Sequence, residues 1–262
     1  MSLEEMFNWP DADVILRATH GTDSRDFRVH KLFLSFASPV FKDMFKLPQP
    51  SSTASSIDTI DMADPPRALE VILHFIYPST EPPAINDLIL LSEVLVLADK
   101  YEIRVAQVRL RPSLVEFAKT EPLRVYAIAC QLGLEDEMKI ASSYTTSIHL
   151  PGLTELPDEF KSVPATEYHR LILLQRRYRK AVEEIATSHA LAPPAITVSG
   201  GWNVTTDPDG IAQRQVLGNI WGDTPLTYES LSRLNPGRRA EVGVERFIRS
   251  VFDKANALNL TV

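Results

Sequence analysis

Two short runs of alternating apolar and polar residues flank a turn early in the chain. Residues 12–17 and 27–30 alternate in this way, and a turn signal with Gly and Asp lies between them at residues 20–23. Alternation with a period of two on both sides of such a turn predicts a β-hairpin. With a further short strand predicted over residues 57–62, the hairpin forms a small sheet that other elements have to cover.

Helical segments follow the predicted hairpin and strand. Ser38 before Pro39 is a favourable helix start, so residues 31–45 predict two short helices in succession. Apolar residues at helical spacing predict longer helices over residues 65–77, 87–101, 113–119, 122–132, 135–147, 167–186 and 239–258. The second of these is apolar on most sides, which indicates a central helix. The sequence therefore predicts an α+β fold class: a small sheet capped by helices, followed by a mostly α-helical extension.

Three regions are predicted along the chain. An α+β domain occupies residues 1–110, a helical extension occupies residues 111–190, and an irregular segment that ends in a helix occupies residues 191–262. Prolines and glycines between residues 193 and 201 mark the last change of composition.

Two of the predicted helices share a sequence pattern near their ends. In residues 95–103 and 128–134, an Ala lies three positions before Tyr or Leu, and a further apolar residue follows two positions later. The pattern is typical of repeated helix–turn–helix units, although it does not extend to a repeat array.

Composition and charge restrict the classes of partner. Hydrophobic residues make up 44% and charged residues 23% of the chain, which is typical of a globular protein with a buried core. The formal net charge is −7 and neither half is strongly basic, so no nucleic-acid partner is expected. The most apolar stretch, residues 85–98, contains polar residues and is shorter than the ~20 residues of a membrane-spanning helix. No membrane partner is expected either.

Cysteine usage and the first residues favour an intracellular protein. Cys130 is the single cysteine, which excludes an intrachain disulfide and a cysteine-built zinc site within one chain. Residues 1–10 contain two acids and no basic n-region of a signal peptide. The expected location is cytoplasmic, nuclear or both.

Catalytic motifs do not occur in the sequence. The six histidines show no metal-binding spacing, and neither a nucleophile elbow nor a phosphate-binding loop is present. Cys130 lies in a predicted helix and is interpreted as an inert buried thiol. The sequence therefore predicts no enzyme, no cofactor, no metal and no small-molecule substrate. The basic run at residues 169–180 is interpreted as an amphipathic helix with a solvated charged face, with nuclear localisation or phosphate contact as the alternative.

Several motifs over about 100 residues resemble a BTB/POZ domain in their order and spacing. They consist of Asp13, Val14 and Ile15; Phe27, Val29, His30, Lys31 and Leu34; Ser38, Phe41, Met44 and Phe45; Leu73, Phe75, Ile76 and Tyr77; and Leu97, Ala98, Asp99, Lys100, Tyr101 and Ile103. The helices after Pro112 are similar to the BACK-like helical extension that often follows such domains. The whole arrangement resembles fungal proteins with an N-terminal BTB domain.

The resemblance implies a non-enzymatic scaffold that acts by protein–protein interaction. Its partners would be proteins: a second copy of the chain or a cullin-type scaffold. Two narrower functions stay open, a substrate adaptor of a cullin-type ubiquitin ligase and a nuclear co-regulator that acts by self-association. A signature composed mostly of core residues indicates that the function lies on the surface of the domain.

The resemblance also implies candidate interaction residues near the dimer centre. Asp13, His30 and Lys31 match family positions that line a small charged pocket, where a buried Asp–Lys pair could fix the register of a contact. The alternative is that Asp13 caps a strand, His30 packs against helices and Lys31 is solvated. Six aromatic residues are expected to help helices cap the sheet: Phe33, Phe36, Phe41, Phe45, Phe75 and Tyr77.

A second candidate surface precedes the loop at residues 48–56. In family members that bind a cullin-type scaffold, this region forms much of the docking surface. Met44 and Leu47 are the predicted surface contacts, whereas Phe41 and Phe45 are predicted to be core residues. Adaptors often carry an apolar residue, any residue and then Glu after this helix. Here residues 49–51 are Gln, Pro and Ser, so the acidic contact is missing.

The residues before the first strand have two possible roles. Strongly dimeric BTB domains usually carry an extra strand and helix there, and few residues precede Asp13 in this chain. Met6, Phe7 and Trp9 either form an apolar contact with a partner or fold back on their own domain.

Overall fold

The computed structural model describes residues 6–47, 57–78, 80–148, 150–187, 196–198 and 202–204. The chain divides into two compact units between Phe117 and Ala118. The first unit contains β1 (Val14–His20), β2 (Asp23–Val29), α1 (Lys31–Ala37), α2 (Pro39–Met44), β3 (Asp58–Met62), α3 (Pro66–Ile76), α4 (Leu88–Lys100) and α5 (Arg104–Phe117). The second contains α6 (Pro122–Gln131), α7 (Glu135–Tyr144), α8 (Ala165–Thr187), β4 (Ile196–Val198) and β5 (Trp202–Val204), with 3-10 turns at Thr145–Ser147, Leu150–Gly152 and Asp158–Ser162.

The sheet of the first unit has three strands in the order β2-β1-β3. β1 and β2 form the predicted antiparallel hairpin, and Gly21, with a φ of 59°, supplies the left-handed residue of its two-residue turn. Val14, Leu16 and Ala18 are fully buried and alternate along β1 with the half-buried Ile15 and the exposed Arg17. β3 pairs parallel with β1 and places Asp58 opposite Val14. The starts of these two strands therefore lie side by side.

The two short helices predicted around Ser38 and Pro39 are present as α1 and α2. The Ser38 hydroxyl accepts a hydrogen bond from the Phe41 backbone N–H at 3.1 Å, and Pro39 takes the first helical position. The same hydroxyl donates to the Tyr101 carbonyl oxygen at 2.5 Å. The N-cap of α2 is thereby joined to the end of α4.

α4 is the central helix of the first unit, as the sequence predicts. Asp87 caps its start by accepting hydrogen bonds from the backbone N–H groups of Ile89 and Leu90, both at 3.2 Å. Most of its apolar side chains are buried, namely Leu88, Leu90, Leu91, Val94, Leu95, Leu97 and Ala98. Because burial of one large aliphatic side chain contributes about 1.5–3 kcal/mol, this helix is a main source of stability.

A buried carboxylate connects the region between β3 and α3 to the end of α4. Asp64 accepts hydrogen bonds from Lys100 Nζ at 2.7 Å and from the Tyr101 hydroxyl. Burial and the hydrogen bond to Asp64 raise the pKa of Tyr101, so the phenol stays protonated. Lys100 and Tyr101 belong to the last of the resemblance motifs. Contacts within the domain therefore explain why Lys100 and Tyr101 are part of this motif.

α4 and α6 end in the same backbone conformation. After α4, the Ile103 N–H donates to the Ala98 carbonyl at 2.8 Å, and the equivalent bond after α6 measures 2.9 Å. This is the Schellman arrangement, which needs a left-handed residue just after the helix. Glu102 takes that position after α4 with a φ of 53°, and Gly133 takes it after α6 with a φ of 64°. The sequence pattern shared by the two segments therefore corresponds to a shared helix ending.

α5 differs from the expectation at Pro112. The sequence predicts a helix that begins after Pro112, whereas α5 contains this residue in its interior. Pro112 is exposed, and Ala106, Leu110 and Leu114 are buried on the other side of the helix. A proline removes one backbone N–H donor, and burial of the apolar side offsets that loss. The predicted domain boundary after residue 110 falls inside this helix.

The second unit contains helices in the places that the sequence predicts, and one polar side chain connects two of its parts. Gln175 on α8 is buried. Its amide nitrogen donates to the carbonyl oxygens of Thr145 at 2.9 Å and Ile148 at 2.6 Å. Its carbonyl oxygen accepts from the Leu150 N–H at 3.4 Å. These bonds hold the turns that follow α7 against α8.

Predictions for the last region fall mostly outside the described residues. The helix expected over residues 239–258 lies outside them, as does most of the irregular segment at 191–262. Within that segment, β4 and β5 pair antiparallel, which the sequence did not predict.

Candidate protein-interaction site

Asp13 and Lys31 meet at the start of α1, but not as two charged side chains. The Asp13 carboxylate accepts a hydrogen bond from the Lys31 backbone N–H at 2.7 Å and so satisfies one free donor of the helix start. The Lys31 ammonium donates to Asp58 at 2.6 Å. Both side chains of this pair remain partly exposed, and such pairs contribute about 0.2–1 kcal/mol. The expected Asp–Lys contact is therefore a helix cap, and the charge partner of Lys31 is a residue of β3.

His30 lies in a short chain of polar contacts beside this point. Its backbone N–H donates to the Tyr77 hydroxyl at 2.8 Å, and its Nδ1 lies 3.0 Å from the same oxygen. Its Nε2 lies 3.3 Å from an Asp11 carboxylate oxygen. Burial raises the pKa of Tyr77 to about 12, so its hydroxyl keeps a proton to share with His30. His30 therefore packs against the domain and connects β2 to the end of α3.

The exposed face of α1 is strongly apolar. Phe36 is 83% exposed and Leu32, one turn earlier, is 61% exposed. Leu34 is fully buried on the other side of the helix. The expectation that Phe36 helps to cap the sheet is wrong, because a helix that buries position 34 turns positions 32 and 36 outward. We call Leu32 and Phe36 the α1 face.

The end of α2 carries the second predicted surface. Phe41 is fully buried and stacks on Tyr101 at 4.6 Å between ring centroids, while Phe45 is half-buried and stacks on Phe41 at 6.1 Å. Met44 is half-buried and Leu47 is 64% exposed. Leu47 therefore offers an apolar contact to a partner. The loop at 48–56, with its missing acidic contact, lies outside the described residues.

The segment at residues 6–12, which we call the strap, folds back on its own domain. Phe7 is 1% exposed and its ring lies edge-on against His74 and Tyr77, at 4.9 and 5.5 Å between centroids. The Trp9 ring stacks on Tyr77 at 6.1 Å. The sequence leaves open whether Phe7 and Trp9 contact a partner or fold back on their own domain. The structure shows that they fold back.

Backbone hydrogen bonds attach the strap to the outer edge of β2. The Arg28 N–H donates to the Phe7 carbonyl at 2.8 Å, and the Trp9 N–H donates to the Arg28 carbonyl at 3.2 Å. Asn8 thereby forms an isolated parallel bridge with Arg28. The strap therefore covers part of an edge strand that otherwise has unpaired backbone groups.

Three features make the attachment of the strap costly. Phe7 has a φ of 65°, and the left-handed conformation costs a non-glycine residue roughly 1–2 kcal/mol. Trp9 Nε1 and His74 Nδ1 are buried without a hydrogen-bond partner among the described residues. A buried polar atom left in this way costs about 1–3 kcal/mol.

The basic run of the second unit lies on α8 and is amphipathic, as the sequence predicts. Leu171, Leu174 and Tyr178 are buried, whereas Arg176 and Arg177 are exposed. The structure leaves the alternative of nuclear localisation or phosphate contact as a prediction.

Cys130 and the metal-ligating residue types form no cluster in the part of the chain that the structure describes. Cys130 is half-buried, where full burial was expected, and burial and the nearby Glu167 carboxylate raise the pKa of its thiol. It is therefore protonated near neutral pH, which makes it a weak nucleophile. Within the described ranges, no group of three or more His, Cys, Asp or Glu side chains could hold a metal ion.

None of the helices described is both long and apolar enough to span a bilayer.

Comparison with known proteins agrees with this geometry. A family model with the description BTB/POZ domain matches residues 3–117. The chain is also similar to "TD and POZ domain-containing protein 5" of Mus musculus, with 26% identity over 144 residues, which cover 55% of this chain and 41% of the mouse protein. The chain thus matches less than half the length of this curated relative. The three-stranded sheet and its helices show the corresponding α+β fold. Residues 3–117 of this chain form a BTB/POZ domain, which is a protein–protein interaction module.

Proposed function

We propose that this chain is a non-enzymatic scaffold that acts by self-association through the α1 face of its BTB/POZ domain. The 83% exposure of Phe36, with Leu32 exposed one turn away, is the observation that carries the proposal. Removal of one such side chain from water contributes about 1.5–3 kcal/mol, and aromatic residues are over-represented among interface hot spots. BTB domains mediate self-association as well as cullin binding, which agrees with this use of the surface.

The charge distribution around the α1 face permits a second copy as its partner. The chain has a net charge of −7, so two copies repel each other at long range. No charged residue occurs between Lys31 and Lys42, however, so the α1 face is uncharged. Two copies can therefore meet here around a two-fold axis without like charges in direct contact.

Asp13 and Lys31 support this surface in the proposal. The Asp13 carboxylate caps the first N–H of α1, and the Lys31–Asp58 pair fixes the same helix start to β3. The direction of α1 sets where Leu32 and Phe36 point. We assign Asp13 and Lys31 a positioning role, and not a direct contact with the partner.

Solution mass measured by light scattering over a range of concentrations tests the proposal. We expect a dimer for the parent chain and a monomer for Phe36→Glu, because the variant places a charge at the centre of the contact. Val108→Glu is the matched control, since Val108 is 66% exposed on α5, outside the α1 face. It should remain dimeric. A dimer in Phe36→Glu, with both variants folded, contradicts the proposal.

A cullin-type ubiquitin-ligase adaptor is the second candidate function, favoured by the exposure of Leu47 at the end of α2. The test is mixing the chain with the N-terminal domain of a cullin-type scaffold and measuring complex formation. Leu47→Glu should abolish the complex if Leu47 and Met44 form the docking surface. Lys46→Glu, at an exposed neighbouring position, controls for added negative charge. A complex that withstands Leu47→Glu removes this surface from consideration.

Other expectations from the sequence stay predictions. They are the BACK-like identity of the helices after residue 117, the fungal type of arrangement, a role as nuclear co-regulator and an intracellular location. The partners of the whole protein are likewise predictions, because the match covers 41% of the mouse relative.

A further inference from the structure

We propose that the surface beneath the strap is a second protein-binding groove, which takes an extended segment of a partner protein with aromatic residues at positions i and i+2. In this structure the strap occupies the groove in the manner of a bound segment. The groove is formed by the edge of β2 and by His74 and Tyr77 of the α3 region. It is separate from the α1 face and from Leu47, so it does not rest on the scaffold proposal.

The strap itself shows which occupant the groove accepts. In the strap, a left-handed Phe7 and a Trp9 two positions later bring their rings to the same side. In a partner segment that is extended throughout, residues at positions i and i+2 also point to the same side. Both rings contact Tyr77. The backbone between them bonds to the N–H and the carbonyl of Arg28, which any extended segment can repeat, whatever its side chains. The groove therefore recognises backbone on one side and two aromatic rings on the other.

The strap fits the groove imperfectly, and this makes exchange possible. Phe7 has to adopt a left-handed conformation, with a φ of 65°, to reach its place. Trp9 Nε1 and His74 Nδ1 stay buried without hydrogen-bond partners among the described residues. A partner segment that is extended throughout and brings a hydrogen-bond donor to His74 Nδ1 avoids these costs. Such a segment can displace the strap, which then acts as an autoinhibitory contact.

Competition between strap and partner sets the expected affinity. A closed strap reduces the apparent affinity of a partner by the fraction of molecules in which the groove is open. Loss of the Trp9–Tyr77 stack should raise that fraction by about three- to tenfold, the effect of one aromatic pair on a two-state equilibrium. Weakening the strap should therefore strengthen partner binding, although the groove residues are unchanged.

Fluorescence anisotropy with a labelled synthetic peptide of residues 6–13 tests the proposal. We expect the peptide to bind the full-length Trp9→Ala chain about three- to tenfold more tightly than the parent chain. Asn8→Ala is the matched control, since Asn8 lies exposed in the same strap, and it should bind like the parent. A peptide with Ala in place of both aromatic residues should not bind. If circular dichroism shows that Trp9→Ala is unfolded, Trp9→Leu replaces it, because it keeps part of the apolar volume.

Three results would overturn the proposal. The first is absence of binding to the folded Trp9 variant, and the second is equal affinity for the parent and that variant. The third is a dimer of the parent chain that dissociates into monomers when the peptide is added, together with a Phe36→Glu variant that is still dimeric. That result would show that the groove exchanges straps between copies and is not a site for another protein. The first two results do not depend on whether the α1 face self-associates.

Discussion

Replacement of Asp64 by Ala tests the buried network that joins the region after β3 to α4. Asp64 is buried and accepts hydrogen bonds from Lys100 Nζ at 2.7 Å and from the Tyr101 hydroxyl. The substitution removes the acceptor of both. We expect the first unit to keep its fold and to lose stability.

The magnitude follows from what each partner loses. Tyr101 is buried, so its hydroxyl would be left without an acceptor, which costs about 1–3 kcal/mol. The Lys100 side chain is about half exposed and recovers contact with water, so its loss is smaller. Breaking a fully buried pair costs about 3–5 kcal/mol, and the exposure of Lys100 places this case at the lower end, near 3 kcal/mol.

Thermal unfolding followed by circular dichroism measures the effect. A loss of about 3 kcal/mol should lower the midpoint of the first unit by about 10 °C. Asp61→Ala is the matched control in the same segment, because the Asp61 side chain is 81% exposed and only 3.7 Å from Arg17 in a surface pair. It should change stability by less than about 0.5 kcal/mol. Equal midpoints for Asp64→Ala and Asp61→Ala would refute the reasoning about the buried network.

Three other predictions concern helix ends, pH and the second unit. Glu102→Gly should stabilise the first unit by about 0.5–1 kcal/mol in urea unfolding, because it relieves a left-handed glutamate, whereas Gly133→Ala should destabilise the second unit by about 1–2 kcal/mol. Burial lowers the pKa of His74 below its ordinary value of 6.5, against the opposing charge of Glu70. As the pH falls, the His74 imidazole is therefore protonated more readily in the unfolded chain than in the folded chain. The stability of the first unit should fall as the pH drops from 7.5 to 5.5. His74→Gln should reduce this fall in midpoint, and an unchanged fall would contradict the assignment. Gln175→Ala should cost the second unit about 2 kcal/mol, measured by thermal unfolding, since it removes the hydrogen-bond partner of the Ile148 carbonyl and of the Leu150 N–H.

Local features of the fold could be predicted from the sequence. The hairpin follows from alternation around Gly21, and the two short helices follow from Ser38 and Pro39. α4 follows from an apolar run after Asp87. In each case the signal lies within a few residues of the feature, so neighbouring side chains decide the conformation.

In two places the structure differs from the prediction although the sequence pattern indicates the observed structure. The aromatic type of Phe36 predicts a core position, although helical geometry places positions 32 and 36 opposite position 34. Pro112 by itself predicts a helix boundary, although the apolar spacing of Ala106, Leu110 and Leu114 continues through it. The phase of the apolar residues is the more reliable guide in both places.

The ion pair of Lys31 could not be predicted from the sequence. Asp58 reaches Lys31 because β3 pairs parallel with β1, with Asp58 opposite Val14. That register joins strands far apart in the chain, and no local pattern encodes it. The position of Phe7 beneath its own domain has the same cause, since the strap depends on contacts with β2 and α3.

Cross-linking at the α1 face tests the central claim most directly. With Cys130→Ser as the background, Leu32→Cys places a single thiol beside Phe36, and Val108→Cys places one on α5 as the control. If two copies meet through the α1 face, a flexible bis-maleimide should convert dilute Leu32→Cys chains to covalent dimers. The Val108→Cys chains should stay largely uncoupled. Equal coupling of the two variants, or coupling of Val108→Cys alone, would contradict the account.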